Sequence, residues 1–113
     1  MYKMSYAEIM EGGAREARER EKAALDRAIA LMTAAQASDA SSVNDAVAYV
    51  QKLWMFFIEN LNDPRNELND SLKRDLVAIG VWAVAESDRI LANPSKSFSA
   101  LIDVNKMIRD GLV

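Results

Sequence analysis

From Val43 onward, apolar residues return at intervals of three and four: Val43, Val47, Val50, Trp54, Phe57 and Leu61. That spacing follows the 3.6-residue turn of an α-helix, not the two-residue alternation of a strand. The same period governs most of the 113 residues, and only two prolines and four glycines interrupt it. A chain of this length suits one domain around one core. The expected architecture is therefore all-α: a small four-helix bundle with a short N-terminal arm or helical turn, residues 1–113 forming a single helical domain.

Helices are expected over about 14–37, 43–61, 70–92 and 98–110. In the first, Ala17, Ala24, Leu25, Ala28, Leu31, Met32 and Ala35 form an alanine-rich stripe that lets a neighbour approach closely. Glu16–Arg20 and Lys22–Asp26 have the i,i+4 spacing of helix-surface ion pairs. Ser42 has the chemistry of an N-cap for the second helix, and Asn69 or Asp70 for the third. Gly80 costs the third helix about 1 kcal/mol relative to alanine, so another backbone is expected to pack closely against it. Phe98, Leu101, Ile102, Asn105 and Ile108 share a face of the last helix, and Gly111 is placed to follow its end as C′. The arm, residues 1–13, carries Tyr2, Met4, Tyr6, Ile9 and Met10 before Gly12 and Gly13. Five sizeable apolar residues so close together rarely stay fully solvated, so a docked arm is expected.

Composition removes many function classes. There is no cysteine and no histidine, which excludes disulfides, thiolate metal sites and most nucleophile–base pairs. Neither G-x-G-x-x-G, nor a Walker loop, nor a calcium loop is present. Asn60, Asn62, Asp63, Asn66 and Glu67 gather oxygen ligands without metal-site spacing. Among the carboxylates, Asp103 and Glu86 lie nearest to apolar neighbours, where ordinary helix-surface salt bridges account for them. No enzyme activity, catalytic residue, cofactor, metal or small-molecule substrate is expected. The net charge of −3 disfavours direct nucleic-acid binding, and the arginines of residues 15–20 alternate with glutamates as on a solvated helix face. Met1 to Glu8 lacks the pattern of a secretory signal, and the longest apolar run, Leu53 to Ile58, is too short to span a bilayer. A cytoplasmic location is expected.

What remains is a surplus of large apolar side chains. Trp54 and Phe57 belong to the core stripe, but Leu53, Met55, Phe56, Val81 and Trp82 cannot all face the same interior. Tryptophan and methionine are favoured anchors at interfaces. These five residues, with Tyr2 and Tyr6 of the arm, are the candidate partner-binding set, suited to receiving an amphipathic helix in a groove.

Several blocks follow one another along the chain: Ser5-Tyr6-Ala7-Glu8; Ala14-Arg15-Glu16-Ala17-Arg18-Glu19-Arg20-Glu21; Lys52-Leu53-Trp54; Asn66-Glu67-Leu68; Ile79-Gly80-Val81-Trp82; and Leu101-Ile102-Asp103-Val104-Asn105 before Ile108-Arg109-Asp110-Gly111-Leu112. In this order and over nearly the whole length, they resemble the FlaF family of alphaproteobacterial flagellar biosynthesis regulators. Lys52 stands where arginine is expected, and Asn69 where proline is expected. The resemblance implies a cytosolic, flagellin-binding export chaperone that regulates flagellin synthesis and secretion, covering amphipathic flagellin helices in its groove. It implies flagellin as partner and the opposing regulator FlbT as a further candidate. The alternative is a post-transcriptional regulator of flagellin messenger RNA that acts with FlbT and does not hold flagellin.

Overall fold

The computed structural model describes residues 14–36, 40–93 and 95–111. They form four helices: α1 (Ala14–Ala35), α2 (Ala40–Asn62), α3 (Asp70–Ala92) and α4 (Ser99–Gly111). The expected arm, including Tyr2 and Tyr6, lies outside the described residues.

Helix ends depart from expectation where capping chemistry was the guide. Helix α2 starts at Ala40, so Ser42 lies within its first turn and not at its cap. Alanine and serine are compatible with helix, and a cap-forming residue does not oblige the helix to begin there. Asn69 does cap α3, its side chain accepting a hydrogen bond from the Leu72 backbone N–H at 2.8 Å. Gly111 is the last helical residue of α4, and no glycine among the described residues has a positive φ, so it does not end the helix as a left-handed C′. Phe98 takes the position before α4, its carbonyl accepting from the Ile102 N–H at 2.9 Å.

Each helix packs on its chain neighbours, and α1 also packs on α4, which closes a square bundle. Side-chain pairs show the antiparallel register. Along α2 and α3, Gln51 donates to Asp88 at 2.6 Å, and seven residues further along α2 Ile58 lies over Gly80. Between α1 and α4, Ser97, just before α4, donates to Gln36, just after α1, at 2.9 Å, while Arg109 pairs with Asp26 at 3.1 Å. Asp26 is thus engaged across the bundle by Arg109, not along its own helix by Lys22. Glu16 and Arg20 stand at 4.0 Å as expected.

The core joins Leu25, Ala28 and Met32 of α1 to Val47, Val50 and Trp54 of α2, Ala83 and Ile90 of α3, and Leu101 of α4, all nearly or fully buried. Trp54 also spans the diagonal from α2 to α4: its indole N–H donates to Asn105 Oδ1 at 3.2 Å, and Asn105 Nδ2 donates to the Leu101 carbonyl at 2.7 Å. A buried polar pair is tolerated in an apolar core because each member is satisfied. The close approach at Gly80 is made by side chains, with Ile58 Cγ1 and Trp54 Cε3 at 2.9 and 3.2 Å from where a Cβ would stand. The expectation of a second backbone at that position is corrected accordingly.

Candidate partner-binding face

On the outer side of the α2–α3 pair, Met55, Ile58 and Glu59 of α2 face Val81, Val84, Ala85 and Asp88 of α3 across a groove of about 470 Å³. Antiparallel packing sets these turns side by side. Residues three and four apart share one helix face, which brings Met55 with Ile58 and Val81 with Val84 and Ala85. The absence of a Cβ at Gly80 lets Ile58, which lines the groove, lie against α3. The groove is apolar along its length and carries Glu59 and Asp88 at its edge.

Residues in the candidate set divide by environment. Met55, Phe56 and Val81 are 56%, 58% and 57% exposed, a large apolar surface to leave in water. Met55 and Val81 line the groove, whereas Phe56 lies beside it with its ring tilted on Phe57 at 6.2 Å. Leu53 is a correction: it is buried to 9% exposure within the core cluster, so it does not face outward. Trp82 is half-buried and packs against the core. Ile58, Val84, Ala85, Glu59 and Asp88 were missed as groove residues. Their spacing from Met55 and Val81, i+3 and i+4 and for Asp88 i+7, was the signal that could have found them.

The carboxyls of Glu86 and Asp63 are each held by basic neighbours. Glu86, 6% exposed, accepts from Arg89 Nε at 2.7 Å and lies 3.5 Å from Lys96 Nζ. The Arg89 hydrogen bond outweighs burial and holds this carboxyl below its ordinary range. Asp63 is lowered to about 2 by its side-chain hydrogen bond with Arg65. Asp103 is exposed, as expected of a carboxylate on a helix surface. Among the described residues, no three acidic side chains gather as a metal site, and no helix is long and apolar enough to cross a membrane.

Fold and surface together define a helical bundle that presents an apolar groove between two antiparallel helices. The family model described as flagellar protein FlaF matches residues 2–112, and the chain belongs to that family. No curated protein and no solved structure matches the chain.

Proposed function

We propose that this protein is a cytoplasmic, non-enzymatic flagellin-binding chaperone that regulates flagellin synthesis and secretion. The observation that carries the reading is the exposed apolar groove between α2 and α3, in a chain that belongs to a flagellar protein family. Flagellin's terminal segments are amphipathic helices that remain disordered until the filament assembles. Free in the cytosol, such segments expose apolar faces and self-associate. An amphipathic helix laid along the groove places its apolar face on Met55, Ile58, Val81 and Val84. Basic residues flanking that face then meet Glu59 and Asp88 at the rim. Release at export requires moderate affinity, which suits a shallow groove better than an enclosed pocket.

The test is calorimetric titration of nuclease-treated protein with flagellin, using the parent chain and Val81→Asp. A charge in the groove centre should weaken binding by about thirtyfold, the equivalent of losing an anchor worth about 2 kcal/mol. No binding by the parent at tens of micromolar overturns the chaperone reading and favours action on flagellin messenger RNA with FlbT. Equal binding by parent and variant places flagellin on another face.

A further inference from the structure

A second cavity, of about 380 Å³, opens at the end of the bundle where α1 begins and α2 ends. Trp54, Phe57 and Leu61 of α2 meet Leu76 of α3 and Ile108 of α4 around it, and Ala17 and Glu21 of α1 border it. Its origin lies in helix lengths and packing. Helix α4 has 13 residues, against 22 for α1 and 23 for α2 and α3. At about 1.5 Å per residue it stops roughly 14 Å short of its neighbours. Every buried residue of α3, from Gly80 to Ile90, lies in its C-terminal part, and Leu68 and Leu72 before them are about two-fifths exposed. Helices α3 and α4 are also the least engaged neighbouring pair. The bundle therefore lacks a wall at this end, over an apolar floor.

We propose that residues 1–13 of the same chain fill this cavity and complete the bundle. The first turns of α1 border the cavity, so the chain preceding Ala14 leaves the helix beside its mouth. An extended chain advances about 3.3 Å per residue, so Ile9 and Met10 lie within roughly 13–17 Å of that point and Tyr6 within roughly 26 Å. The side chains suit the lining. Methionine adapts to irregular apolar gaps, and tyrosine buries its ring while its hydroxyl reaches a polar rim, here Asn60 and Asn66. Tethering gives the segment an effective concentration in the millimolar range, far above that of a free competitor. Glu21 attests to a partly dry environment there: burial pushes its carboxyl up despite Arg20 and Arg18 nearby. This docking concerns a different face from the α2–α3 groove and stands or falls independently of flagellin binding.

The chain contains no cysteine, so Glu8→Cys in the full-length protein provides a single attachment point for a nitroxide spin label. Amide spectra with the label oxidised and reduced report what lies near it. The expected result is loss of the Leu61, Leu68, Leu76 and Ile108 amide signals, with those of Val81 and Ala85 retained. Broadening confined to the first turn of α1, or centred on Val81 and Ala85, overturns the proposal. Mixing spin-labelled chains with isotope-labelled, nitroxide-free chains tests for a second copy as occupant, and transfer of the broadening to those chains also overturns it. Adding Leu76→Asp to the labelled chain should abolish the broadening while the helical circular dichroism persists. Persistence of broadening in that variant counts against the cavity as the docking site.

Discussion

Trp54 is 1% exposed, and its one polar atom has a partner 51 residues away in Asn105. Truncation to alanine removes the largest fully buried side chain and leaves a buried amide oxygen without its donor. Large-to-small changes at such a site cost about 3–5 kcal/mol, and an orphaned buried acceptor about 1–3 more. Against a total of about 5–15 kcal/mol for a domain, Trp54→Ala should lower the melting temperature sharply or prevent folding. Two residues further on, Phe56 points roughly 200° around the helix and is 58% exposed. Phe56→Ala should change stability by no more than about 0.5 kcal/mol. Thermal denaturation followed by circular dichroism checks both, and a destabilised Phe56→Ala would mean that the tilted contact with Phe57 carries more than its exposure suggests.

Helix pairs are held by contacts that no single helix specifies. At Gly80, alanine would gain about 1 kcal/mol of helix propensity. Its Cβ would, however, stand 2.9 Å from Ile58 Cγ1 and 3.2 Å from Trp54 Cε3. The Trp54 indole is tied to Asn105, so Ile58 must give way, and overpacking of this kind costs about 1–3 kcal/mol. Gly80→Ala should therefore be destabilising, by about 1 kcal/mol net, and the penalty should shrink in an Ile58→Ala background. Chemical denaturation of the four proteins in that cycle decides it. Where α3 gives way to α4, Glu86 receives Arg89 from its own helix and Lys96 from the connection. Its folded pKa is lowered from the ordinary 4.5, so its contribution is full above that value and is lost as pH falls through the folded one. Glu86→Gln should be less stable than the parent near neutral pH, with the difference closing in acid. Glu21, raised by burial, has the opposite slope but is common to both proteins and cancels in the comparison. Urea unfolding at several pH values provides the measurement; a gap that stays constant with pH would assign Glu86 a packing role only.

As a whole, the molecule is elongated, 51 × 25 × 24 Å, and carries a net charge of −3. Partner binding through the α2–α3 groove would rest on apolar burial with a small acidic contribution from Glu59 and Asp88. Flagellin affinity should then change by less than about tenfold between 50 and 200 mM salt, whereas a protein making 6–10 phosphate contacts loses about 10³–10⁵ over that range. Titrations at the two salt concentrations distinguish the modes, and a steep decline would point to nucleic acid or a purely charge-steered partner.

Among the described residues, the four helices, the bounds of α3, a cap at Asn69 or Asp70 and the opposite placement of Trp54 and Phe56 were all legible from residue spacing. Each depends on neighbours within a turn or two, where the 3.6-residue period and local hydrogen bonding decide the outcome. The start of α2 was less legible, because competing helix starts differ by only about the worth of one cap, about 1 kcal/mol. Leu53 shows where local reasoning ends. It sits 100° from Trp54, at the edge of the stripe, and an edge position is buried or exposed according to what packs beside it. Helix α2 has α1 on one side and α3 on another, so its buried arc is wider than one stripe and takes in Leu53. The same holds for the Trp54–Asn105 bond, for Arg109 displacing Lys22 as the partner of Asp26, and for the outer groove itself. Sequence period states which side chains share a helix face. Which faces are covered depends on distant helices meeting, and only the tertiary structure decides that.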